Sequence, residues 1–249
     1  MSIFPLLPLH ARPATRRPLP QLVSLFFAAD VFVIVAAVVT HLIAQHNGVA
    51  APGFFRLSYE SNLPTWYSSA QHAVVGTLLA LLAIREIRID PRRWCIALPA
   101  MMFLFFSFDE VAMVHERIGY WVSAHSSLGA KDGMTNSAPA MVLCLPAAIA
   151  FAAYAAWNTR PYWTGRPGVM FKFTVGIGLF LFCAGGLEIL VNLVKTNQML
   201  VSLETLVEES GEMLSTTVVL WGTLELLALE KFALRFDAAG MHFGDANKR

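Results

Sequence analysis

The side chains of this sequence with acid, base or metal-ligand chemistry sit where such groups are expensive. Otherwise apolar stretches carry His72; Asp109, Glu110, His115 and Glu116; Glu188; and Glu204, Glu208, Glu209 and Glu212. Carboxylates crowded together away from water cannot all stay ionised, because like charge and desolvation both favour the neutral acid. Such a group takes up a cation or protons. Oxygen ligands with one or two imidazoles suit a divalent Zn, Fe, Mn or Mg ion. The chain has no Glu-x-x-His pair, no His-Glu-x-x-His zinc motif and no glycine-rich phosphate loop, so the expectation of a metal rests on depth and facing.

Only apolar helices can carry these groups at such spacing. A bilayer core about 30 Å thick needs roughly 20 apolar residues per helix. Six windows meet that length: Leu22–Ala44, Thr65–Ile84, Trp94–Val122, Ala138–Trp157, Val169–Val194 and Val201–Lys231. At about 1.5 Å per residue from one end of each span, His72 lies at about 20 Å, Asp109 at about 24 Å, Glu188 and Glu212 at about 28 Å, and Glu116 and Glu208 at about 34 Å. Helices of alternating direction thus concentrate polar groups in one layer. At 100° per residue Asp109 and Glu116 share a face, as do Glu204, Glu208, Glu212 and Ser215, and as do Glu188 and Asn192. Glu110 and His115 lie to either side of Asp109, as supporting groups.

Composition agrees with this. The 249 residues are 56% hydrophobic and 14% charged, with a mean hydropathy of +0.57, which excludes an ordinary water-soluble globule and a disordered chain. A formal charge of +1 with no Lys/Arg run gives no footprint for nucleic acid. Fourteen Lys and Arg fall on one side of the six spans and four on the other, which places both termini in the cytoplasm of a bacterial inner membrane. Trp66, Tyr67, Tyr120 and Trp121 then mark an outer aromatic belt, and Trp94, Trp157, Tyr162 and Trp163 an inner one. The expected fold is an all-α polytopic bundle over residues 22–236, between cytoplasmic tails at 1–21 and 237–249. Asn62 to Pro64 reads as a helix start. Asp30 reads as a packing polar group, Glu225 and Glu230 as acids neutralised by Lys231 and Arg235, and Cys95, Cys144 and Cys183 as inert core residues.

Asn62-Leu63-Pro64-Thr65-Trp66, then Ser107-Phe108-Asp109-Glu110 with His115-Glu116, then Glu208-Glu209 with Glu212, resembles a group of uncharacterised bacterial multi-span membrane proteins. The acidic and His motif is also similar to that of membrane-embedded hydrolases of the alkaline ceramidase and progestin-receptor-like superfamily, which bind zinc through histidines. Those proteins have seven spans and three zinc-binding histidines, whereas this chain offers only His72 and His115 at suitable depth, so their ligands do not carry over.

The leading expectation is a membrane-embedded enzyme, a hydrolase or an oxidoreductase, acting on a lipid or amphiphile from the bilayer. Asp109, Glu116, Glu208, Glu212 and His72 are the expected ligands of a divalent metal. His72 and Glu188 are the expected proton carriers, with Glu110, His115, Asn192, Glu204 and Ser215 around them. A proton- or cation-coupled carrier would use the same carboxylates, but would need polar groups continuing to the opposite surface. A non-catalytic accessory subunit would use the acids as a recognition rim.

Overall fold

Asn62 starts a helix in the manner its type predicts. Its side-chain oxygen accepts the Thr65 N–H at 3.1 Å, and Pro64 occupies the first turn, where a missing N–H costs nothing. The computed structural model describes residues 20–49, 52–55, 62–125, 138–187, 189–190, 198–237 and 240–245. Among them are seven α-helices: α1 (Gln21–His46), α2 (Leu63–Ile89), α3 (Ala97–Ala112), α4 (Val114–His125), α5 (Ala138–Thr159), α6 (Pro167–Leu181) and α7 (Gln198–Leu229). Four segments are long and apolar enough to cross a membrane: Gln21–His46, Pro91–Ala112, Pro167–Leu187 and Leu203–Leu229.

Helix α2, which is not among those four, packs inside the bundle. It buries Ser68, Ser69, Gln71, His72 and Glu86 along with its apolar residues. The lipid-like surface lies outside it: Leu25, Phe32 and Leu42 of α1, Met101 and Phe105 of α3, and Phe171 of α6 are all exposed, which is the surface an apolar solvent favours. Helices α2 and α7 run parallel at a nearly constant offset. Gln71 meets Thr217, His72 meets Thr216, and Arg85 meets the Glu230 carbonyl. Two glycines let one helix backbone approach another closely. A Cβ on Gly76 would stand 2.9 Å from the Leu104 backbone nitrogen, and one on Gly176 would stand 3.0 Å from the Ser215 carbonyl, the close backbone contact that small residues give membrane helices.

Three expectations from sequence change here. The third span is not one continuous helix. A 3-10 turn at Pro91–Ile96 leads into α3, and Met113 then takes a left-handed conformation, φ 54° and ψ 43°, that separates α3 from α4. The fifth span departs from α geometry: a π-helical segment, Phe182–Leu187, follows α6. The third change concerns the boundary at residue 236, which falls inside a hairpin. Lys231 turns the chain at φ 51°, and β1 (Phe232–Asp237) pairs antiparallel with β2 (Gly240–Asp245). Arg85 and Arg88 of α2 hold this hairpin by lying over the Phe232 and Phe243 rings at 5.8 and 5.1 Å.

Candidate functional site

The parallel register of α2 and α7 builds the centre of the site. His72 is 1% exposed and is ringed by Phe180, Phe106 and Phe103, with centroids 5.2, 5.9 and 6.1 Å away. Its Nε2 lies 3.1 Å from the Thr216 hydroxyl. That hydroxyl has one proton, and it donates to the Glu212 carbonyl one turn back at 2.8 Å, as threonines in helices commonly do. We therefore assign the ring hydrogen to Nε2, which donates to Thr216 Oγ1. Nδ1 is left buried with no hydrogen-bond partner among the described residues.

Carboxylates lie further along α3 and α7, away from the arginine-rich end. Glu212 is partly buried, and the like charges that act on it are those of Glu110 on α3 and of Glu209 and Glu208 on α7. Asp109 acts on His72 through its charge. Its carboxylate is committed elsewhere: Oδ1 accepts the His115 N–H at 2.9 Å and Oδ2 lies 2.8 Å from His115 Nδ1. The break at Met113 makes this pairing possible, since on an unbroken helix the two residues would point about 120° apart. Asp109 thereby caps α4 across the break and fixes the His115 ring.

The remaining expected residues divide. Glu116 is partly buried in the first turn of α4, where a negative charge suits the helix N-terminus. Glu204 stands about 12 Å along α7 from Glu212 and accepts from the Thr205 hydroxyl. The Ser215 hydroxyl is used within its own helix, donating to the Glu212 carbonyl at 2.8 Å. Glu188 and Asn192 lie outside the described residues. Among the described residues no three His, Cys, Asp or Glu side chains stand in an arrangement that could hold a metal ion.

A second polar group adjoins His72, and the sequence reading gave it only a packing role. Asp30 of α1 is fully buried and accepts from Tyr67 at 2.7 Å, Gln71 at 2.8 Å and Thr217 at 2.8 Å. Gln71 also donates to Thr217 Oγ1 at 2.9 Å, closing a ring that ties α1, α2 and α7 together. Tyr67 therefore belongs to the interior, not to the outer aromatic belt. The polar residues at 71 and 72 and at 216 and 217 were visible in the sequence, but the register that joins them was not. Toward the basic end an apolar layer of Val75, Leu79, Phe103, Val219 and Leu220 closes the bundle.

Beyond that layer, Glu86 is 1% exposed and draws in Arg93, Arg85 and the Tyr162 hydroxyl. Glu230 pairs with Arg166 and Arg85, and Glu225 with Lys172. Residues of α2, α6 and the turn before α6 thus pair with Glu225 and Glu230, which the order of charges along the chain did not suggest. Tyr162 and Trp163 are partly buried in this end; burial, and then the Glu86 charge, push the Tyr162 phenol above its ordinary range.

The family model described as Domain of unknown function (DUF8692) matches residues 24–227. The chain belongs to the DUF8692 family. The DUF8692 region runs from the start of α1 to the end of α7, so it takes in the Asp30 ring, His72 and the acids, and leaves the hairpin outside. No curated protein and no solved structure matches the chain.

Proposed function

We propose that the chain is a six-span membrane protein with its arginine-rich end toward the cytoplasm, and that its acidic end holds a divalent metal ion for a reaction on a lipid or other amphiphile. The observation that carries this reading is the state of His72. One ring nitrogen donates to Thr216 while the other is buried with no partner among the described residues, one helical turn along α7 from Glu212, whose own neighbours in charge are Glu110, Glu209 and Glu208. Metal-binding histidines use one nitrogen for the ion and give the other N–H to a supporting oxygen. The Asp109–His115 pair has the same form, so Asp109 acts by orienting His115 and does not itself ligate. As they stand, no three of the described acid and imidazole side chains form a ligand set, so the proposal requires His72, Glu212, Glu208 and Glu110 to draw together around the ion, which would supply an activated water or polarise a substrate oxygen.

Proton- or cation-coupled transport is favoured by one observation, the polar thread from His72 and Thr216 to Thr217 and Asp30. That thread ends at the apolar layer of Val75, Leu79 and Leu220, so a one-sided site ranks first. Elemental analysis of the purified protein tests the choice. A stoichiometric transition metal, lost in Glu212→Gln with the fold retained, is the expected result. Folded, metal-free protein with ion flux sensitive to the same substitution would overturn it in favour of transport.

A further inference from the structure

The basic end holds a feature that neither the acidic site nor the Asp30 ring explains. A crevice opens between α5, α6 and the turns that precede α3 and α6, lined by Leu79, Pro99, Ala156, Tyr162, Trp163 and Ile177 among others. Its enclosed space is about 60 Å³ behind an open mouth, well below the size of a site that swallows a whole small molecule but with room for a few methylenes. The lining is almost wholly apolar, which suits a hydrocarbon chain and gives water nothing to bond.

One lining group is polar and unsatisfied. The Trp163 indole N–H is out of solvent and has no hydrogen-bond partner among the described residues, and a buried donor left so costs about 1–3 kcal/mol unless something accepts from it. The turn Arg160–Tyr162 and the turn Pro91–Ile96 both contribute to its wall, and they carry Arg160 and Arg92, both exposed. Neighbouring Arg93 and Arg166 are neutralised by Glu86 and Glu230. Arg160 and Arg92 have no carboxylate partner among the described residues, and Arg160 is held over the exposed Trp157 ring at 4.7 Å.

An apolar slot, an unsatisfied donor and two uncompensated arginines match the three parts of one molecule. We propose that this crevice is a binding site for an anionic phospholipid. The upper part of one acyl chain enters the slot, an ester oxygen accepts the Trp163 N–H, and the phosphate lies at Arg92 and Arg160. Basic pockets between membrane helices recognise anionic headgroups by this combination of charge and apolar contact. The proposal is independent of any metal at the other end of the bundle.

Fluorescence quenching by brominated lipids tests it on the full chain in nanodiscs. Phosphatidylglycerol with dibrominated chains is titrated into phosphatidylcholine discs, and the Trp163 contribution is taken as the difference from Trp163→Phe. The expected result is quenching of that contribution at a several-fold lower mole fraction of phosphatidylglycerol than of equally brominated phosphatidylcholine. Arg92→Gln with Arg160→Gln should bring the two lipids level, and Ala156→Phe, which fills the slot, should abolish the Trp163-specific signal. Equal quenching by both lipids in the wild-type protein would overturn the proposal, even if the filled variant does not fold. A preference that survives loss of both arginines would also overturn it.

Discussion

The Thr217 hydroxyl donates to Asp30 Oδ2 at 2.8 Å, joining residues 187 positions apart in the chain. Tyr67 and Gln71 donate to the other oxygen of the same carboxylate, so Asp30 serves as the shared acceptor of α1, α2 and α7. Asp30→Ala leaves three buried donors without it and is expected to cost about 2–3 kcal/mol, the upper range for interhelical bonds in a membrane. Asp30→Asn keeps the shape and is expected to cost about half as much. Thermal unfolding in detergent compares them, and a Thr217→Val double-mutant cycle should return a coupling near 1 kcal/mol.

Glu86 has the matching role at the basic end. Its carboxylate faces Arg93, Arg85 and Tyr162, so Glu86→Ala strands cations that were folded around it. A loss of about 3 kcal/mol is expected, as for removal of one member of a buried ion pair. Chemical unfolding of the reconstituted protein measures it.

Tyr162 makes stability depend on alkaline pH. Burial and the Glu86 charge raise its pKa above the ordinary value of 10.0, so the folded protein holds the phenolic proton more tightly than the unfolded chain does. The stability this provides is complete below about pH 10 and is lost as pH rises from there toward the folded-state value. Unfolding curves between pH 8 and 11 should show the wild type falling more steeply than Tyr162→Phe at the high end.

The helices and their approximate limits were legible because apolar run length acts locally. The Asn62 cap was legible for the same reason. What was not legible depends on how the helices meet. Nothing near Met113 in the sequence marks a left-handed residue, so His115 was expected to point away from Asp109, with which it pairs at 2.8 Å. Asp30 looked isolated because its partners are 37 to 187 residues away. Glu225 and Glu230 were matched to the nearest cations along the chain, whereas packing brings Lys172, Arg85 and Arg166 to them.

The α3–α4 break yields an expectation of opposite signs at one position. Met113 has φ 54°, which costs an L-residue about 1 kcal/mol and glycine nothing. Met113→Gly should therefore be neutral or stabilising, while the β-branched Met113→Val should cost about 1–2 kcal/mol. Thermal melts of the two variants check the difference.

Two glycines give a paired test of packing. A Cβ at Gly76 meets Leu104 Cγ at 2.8 Å and its backbone nitrogen at 2.9 Å, while one at Gly178 meets nothing within 4 Å. Alanine gains about 1 kcal/mol of helix propensity over glycine at either place. At Gly76 overpacking of about 1–3 kcal/mol outweighs that gain, because backbone cannot swing aside. Gly76→Ala should destabilise and Gly178→Ala should stabilise in the same melting assay.

Calorimetric titration of a divalent transition metal into chelator-stripped protein in nanodiscs addresses the role given to His72 most directly. Binding near one ion per chain is expected in the wild type. His72→Ala should weaken it by about 100-fold or more, and Thr216→Val, which removes the oxygen that orients the ring, by about 10- to 100-fold. No binding to the folded wild type, or equal affinity in all three proteins, would contradict the account.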